Sequence, residues 1–148
     1  MTFPAAYAPA RSDAELEQLV AAFEAAEVSR GEWTHRAHLC MALLYLIRYG
    51  QLTGALRIRA GILEFNAAKK IEQTPSGGYH ETLTRFYTWV VQRFLDSADL
   101  SRPAFELANE LYEQFGDRTL PLQYYTKERI ESWEARTKWL APDLKPLV

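Results

Sequence analysis

The chain has 148 residues, a net charge of −2, and 48% hydrophobic against 24% charged residues. A single domain of that size buries roughly two-thirds of its unfolded surface, so it needs no covalent or metal staple to be stable. With a pI near 5.9 and no basic excess it is poorly suited to bind nucleic acid, and its one cysteine, Cys40, excludes an internal disulfide framework.

Residues 1–11 hold Pro4, Pro9 and several alanines without periodicity, which predicts a loose N-terminal arm. They lack a charged stretch followed by an apolar one, so no signal peptide is expected. Ser12-Asp-Ala-Glu15 has the spacing of a capping box. Leu16, Leu19, Val20 and Phe23 then recur at helical intervals, predicting a first helix over 13–28. Thr34 caps a second helix over 35–49, apolar almost all round and therefore central, which Gly50 ends. Its apolar run, residues 39–47, is too short to span a bilayer at about 20 residues, so no membrane partner is expected. Cys40 lies in this run and reads as a small buried hydrophobe. Its lack of a partner fits a reducing, cytoplasmic setting.

Thr53 can start a third helix over 53–69, with Leu56, Leu63 and Phe65 as core candidates. Gly54 and Gly61 either weaken it or admit a close neighbour. "TPSGG" at 74–78 is a loop. A fourth helix over 80–96 carries Leu83, Tyr87, Val90, Val91 and Phe94. Ser101 and Pro103 open a fifth, with Leu107, Leu111 and Phe115 as its stripe and Gly116 as its stop. A last helix is expected over 122–138, with Ile130 and Trp133, and Pro142 and Pro146 leave 142–148 as an irregular tail. The fold class is all-α: a helical bundle of about four long helices plus two further C-terminal helices, in one domain over 12–141. The aromatic share of 13% fits a monomer core, an aromatic-lined pocket or a homodimer face alike.

All three histidines fall in two short motifs, Trp33-Thr-His35-Arg-Ala-His38-Leu39 and Tyr79-His80-Glu81-Thr82-Leu-Thr84. His35 and His38 lie one turn apart on one helix face, about 60° from each other. His80 begins another helix, as His35 does, so the three rings can converge on one ion if those ends meet. Three neutral imidazoles with open positions are the pattern of a catalytic metal site. They suit a divalent transition metal: zinc, iron, nickel or copper. Glu81 points about 100° away from His80, a candidate general base or a partner supporting His80. Tyr45, Thr84 and Tyr87 are candidate pocket-lining residues for a cofactor or small-molecule substrate. Trp33, just before the cap, reads as a hydrophobic staple.

At these residues the chain resembles a group of small bacterial proteins with a W/F-x-H-x-x-H-L stretch followed by Y-H-E-T-x-T. The resemblance covers about residues 32–92 and implies that His35, His38, His80, Glu81 and Thr84 act together; it implies no activity. A looser architectural likeness is to the DinB/YfiT-like helical metalloproteins, which set three histidines around a divalent metal. Their second and third ligands stand in H-x-x-x-H spacing late in the chain, whereas the pair here is H-x-x-H and early.

Two functional readings follow. In one, the chain is a metal-dependent enzyme of hydrolase or oxygenase type acting on a small molecule through His35, His38 and His80. In the other, it is a non-enzymatic small-molecule-binding or interaction module whose histidines are structural core or cap residues.

Overall fold

The computed structural model describes residues 2–148, and these form an all-helical chain. The helices are α1 (Asp13–Glu24), α2 (His35–Ala68), α3 (Glu81–Asp96), α4 (Ala104–Phe115) and two short C-terminal ones, α5 (Lys127–Ile130) and α6 (Trp133–Thr137). Single 3-10 turns occupy Pro4–Ala6 and Leu120–Gln123. The only strand-like pairing among the described residues is one bridge between Thr74 and Gly77.

The helix starts follow their caps. The Ser12 hydroxyl accepts from the Glu15 amide, while the Glu15 carboxylate reaches back to the Arg11 amide rather than to that of Ser12. The Thr34 hydroxyl accepts from the Ala37 amide. Trp33 and His38, the residues just before the cap and four after it, bring their rings to 4.4 Å, completing the expected staple.

α2 is continuous in name only. Gly50 takes φ 79° and ψ 178° inside it, which matches the stop expected at that glycine. A straight helix would separate Trp33 from Phe65 by about 48 Å at 1.5 Å per residue, yet their rings lie 5.4 Å apart. The limb 51–68 therefore folds back along the limb 35–49. Two glycines permit the close return. A Cβ on Gly54 would stand 3.0 Å from the Leu46 Cα, and one on Gly61 would stand 3.1 Å from the Phe23 ring. By length and composition α2 could cross a membrane, but the reversal halves it, and residues 39–46 are all buried.

α1, α3 and α4 all pack against α2. The core contains Leu16, Leu19, Val20 and Phe23 of α1, and Leu107 and Leu111 of α4. Cys40 is 4% exposed, and burial pushes its thiol up to about 11, which leaves it inert at neutral pH.

Four expectations need correction. Residues 3–10 are not a loose arm: Phe3, Ala5, Ala6 and Ala10 are buried in the core, and Asn109 exchanges two hydrogen bonds with the Ala10 backbone. The residues are small and apolar enough to pack without helical periodicity. Leu56 and Leu63 are 70% and 36% exposed, because the folded-back limb turns its Ile58, Ile62 and Phe65 face inward instead. The first helix ends at Glu24, where Ala26 takes a positive φ of 56°. The helix expected over 122–138 is broken into pieces. Thr126 and Ser132 each cap a new amide, of Arg129 and Ala135, and a side chain that caps afresh competes with helix continuation.

That broken C-terminal segment covers the far side of α3. Phe86 and Val90 of α3 form a second small core with Tyr125 and Ile130. Thr82, fully buried, ties the two together: its hydroxyl donates to the Lys138 carbonyl at 2.8 Å and accepts from the Leu140 amide at 3.1 Å. Thr82→Val keeps the shape and orphans both backbone groups. It should cost about 2 kcal/mol in urea unfolding, with Thr82→Ser recovering most of the loss.

Candidate functional site

The fold-back of α2 and the start of α3 enclose a cavity of about 740 Å³ whose wall includes His35, His38 and His80. The volume lies within the range of small-molecule sites. Both helix starts, whose meeting the convergence of the three rings requires, line this cavity. Of the other candidates, Thr84 and Tyr87 line the cavity. Tyr45 does not: it is 4% exposed, and its hydroxyl donates to the Glu24 carboxylate at 2.6 Å, toward α1. It shares a face of α2 with His38, but seven residues carry it two turns, about 10 Å, farther along the helix.

The three imidazoles have different states. His80 is the N-cap of α3. Its Nδ1 accepts from the Leu83 amide at 3.0 Å, and its Nε2 donates to the Ile130 carbonyl at 2.8 Å. That network assigns the Nε2–H tautomer and leaves no lone pair for a metal. His38 donates from Nδ1 to the Thr34 carbonyl at 2.9 Å, so its Nε2 carries the lone pair. The His35 Nε2 is buried with no hydrogen-bond partner, and its ring meets Tyr87 edge-on at 4.9 Å. Among the described residues no group of three His, Cys, Asp or Glu side chains is placed to hold a metal ion.

Glu81 is absent from the cavity wall. Its carboxylate accepts from the Tyr79 hydroxyl at 2.6 Å and from the Arg59 guanidinium at 2.9 Å. Burial pushes this carboxyl up, but the Tyr79 and Arg59 bonds together outweigh it and hold it below the usual range. An ionised, doubly engaged carboxylate is a weak base, so Glu81 serves to fix Tyr79 and the start of α3.

All three cavity histidines resist protonation, His80 chiefly through burial. Burial, then the nearby Arg118 guanidinium, lowers His35 to about 4. Burial also lowers His38 to about 4, against the opposing pull of its bond to the Thr34 carbonyl. The unfolded chain takes up these protons near pH 6.5, so folding loses stability as pH falls from about 6.5 through 4, at up to about 1.4 kcal/mol per pH unit for each group. His38→Phe should therefore gain on the wild type in urea midpoint as pH falls through that window. Parallel pH curves would show that His38 takes up no proton differentially. Tyr87, raised to about 12 chiefly by burial, stays a neutral hydroxyl.

The wall's three charged residues, Arg30, Arg118 and Arg136, were not expected from the sequence. Arg118 follows α4 and Arg136 lies on α6, more than thirty residues beyond both motifs. No local pattern signals Arg118 or Arg136, since only the folding of the C-terminal segment over α3 brings them in, while Arg30 reaches the wall beside Trp33. Trp33 was expected as a staple and is one, stacked on Phe23 at 4.2 Å. It also forms part of the wall, with its Nε1 buried and unpartnered.

Compared with models of known families, with curated proteins and with solved structures, the chain matches none.

Proposed function

We propose that this chain is a small-molecule-binding protein whose site is the cavity between the α2 fold-back and the start of α3. One observation carries this reading. The motif residues His35, His38, His80, Thr84 and Tyr87 meet on one cavity wall, while both nitrogens of His80 are spent on structure. His80 then acts as the cap that shapes the site, and His35 and His38 are its polar contacts. The apolar part of the wall, from Ile58, Ile62, Phe65 and Leu83, suits the body of an organic ligand. The cytoplasmic setting and the absence of a nucleic-acid or membrane partner carry over from the sequence as part of the proposal.

A second reading keeps a metal-dependent enzyme. It is favoured by the Nε2 atoms of His35 and His38, two nitrogens a turn apart that no hydrogen bond occupies. The donor set fits a metal poorly, because a third nitrogen from His80 would have to abandon the cap and the Ile130 carbonyl.

Two measurements on the full-length purified chain test the first reading. Thermal melts with and without EDTA should coincide, and a chelator-sensitive melt favours the metal. Benzyl alcohol, a neutral aromatic probe, should quench tryptophan fluorescence saturably in the wild type and more weakly in Thr88→Phe, which narrows the cavity without adding a tryptophan. Equal, non-saturating quenching in both proteins would refute the site.

A further inference from the structure

The cavity wall is one-sided in charge. The chain has 19 acidic and 17 basic residues, yet the wall of 25 residues holds three arginines and not one aspartate or glutamate. Arg30, Arg118 and Arg136 form no salt bridge among the described residues, although six other basic–acidic contacts exist. Three carboxylates beside wall residues in the sequence are engaged elsewhere. Glu32 accepts from the Ser29 amide. Asp117 accepts from the Thr119 amide and hydroxyl, and Glu81 is held by Tyr79 and Arg59.

The unsatisfied groups have the same bias. Four buried side-chain polar atoms lack a hydrogen-bond partner among the described residues: Trp33 Nε1, His35 Nε2, Arg136 Nε and Gln92 Oε1. The three nitrogens belong to residues that line this cavity, and the one oxygen does not. Trp33 Nε1 and Arg136 Nε can only donate, and His35 Nε2 donates in one tautomer. Buried donors without acceptors are costly, and negative charge on a ligand beside them offsets part of that cost.

Backbone electrostatics add to this. Thr34 and His35 at the start of α2, and His80, Leu83 and Thr84 at the start of α3, all reach the cavity. Two helix N-termini therefore turn their partial positive charge toward it. The same field disfavours a cation there.

We infer that the ligand of this cavity is an organic anion: an apolar, aromatic-sized body carrying a carboxylate or phosphate, received by the guanidinium groups of Arg118 and Arg136. The inference rests on the small-molecule-binding reading and names its ligand class. The lowered proton affinity of His35 comes chiefly from burial, with a smaller contribution from the nearby Arg118 charge. Arg136 also donates from Nη1 to the Gly78 carbonyl at 3.1 Å, which fixes its head beside the start of α3.

Calorimetric titration of the full chain with phenyl phosphate, benzoate and benzyl alcohol tests this. At least one anion should bind tenfold or more tightly than the neutral alcohol, and the preference should shrink at high salt. Whichever of the two anions binds more tightly identifies phosphate or carboxylate as the group recognised. Arg118→Gln, exposed and without a structural hydrogen bond, should weaken that anion about tenfold and leave benzyl alcohol unchanged. Arg136→Gln should do the same, with an unchanged far-ultraviolet spectrum showing that it folds. If benzyl alcohol binds as well as both anions, or Arg118→Gln and Arg136→Gln weaken all three probes equally, the anion inference fails and the small-molecule site survives. If none of the three binds, both fail.

Discussion

His80→Ala is expected to lower the unfolding free energy by about 3 kcal/mol, the largest single effect of any histidine in this chain. Two losses add. The Leu83 amide loses its cap acceptor, worth about 1 kcal/mol. The Ile130 carbonyl loses its donor in a buried setting, worth roughly 1–3 kcal/mol. His80→Asn separates them, because asparagine can cap Leu83 but is too short to reach Ile130, so about 1 kcal/mol should return. Urea unfolding with and without EDTA reads both. The loss should be the same with and without chelator. If EDTA alone destabilises the wild type as much as the substitution does, His80 is a metal ligand and the binding-protein reading is wrong.

Gly50→Ala should cost about 2–3 kcal/mol for a different reason. A Cβ at Gly50 would touch nothing within 4 Å, so no steric neighbour contributes. The penalty is that of the backbone itself, at φ 79° and ψ 178°, a region that side chains avoid. Gly31 is the control: it too is surrounded by open space, but without a positive φ, and Gly31→Ala should stay within about 0.5 kcal/mol. The variant's one escape is to straighten α2, which would part Trp33 from Phe65 and dissolve the cavity wall. A red shift in tryptophan emission together with weaker probe binding would report that escape. An unchanged urea midpoint in Gly50→Ala would show that the reversal is set by side-chain packing rather than by glycine.

The two variants mark the limits of what could be read from the chain. The all-helical class was legible because it is written in local terms. Apolar periodicity, the Ser12 and Thr34 caps, and the Gly50 and Gly116 stops each act within a turn or two of themselves. The staple between Trp33 and His38 was legible for the same reason. Leu56 and Leu63 misled because both faces of the 51–68 limb are apolar, and only the direction of the fold-back selects Ile58, Ile62 and Phe65 for burial. The caps at Thr126 and Ser132 were visible as residue types, but periodicity across 122–138 masked them.

The site divides along the same line. Sequence alone determined that His35 and His38 share a helix face, that His80 opens another helix, and that Thr84 and Tyr87 stand near it, since helical geometry fixes neighbours three and four residues apart. It could not determine what each imidazole bonds to. The His80 nitrogens are claimed by Ile130, fifty residues away, and by the cap geometry of its own first turn. Nor could it enlist Arg118 and Arg136, or remove Glu81 and Tyr45 from the wall, because those placements follow from how the C-terminal segment, the 51–68 limb and α1 pack against the helices. Motif spacing records local geometry; the charge and hydrogen-bond state of a cavity depend on every element that closes it, and only the tertiary structure brings those elements together.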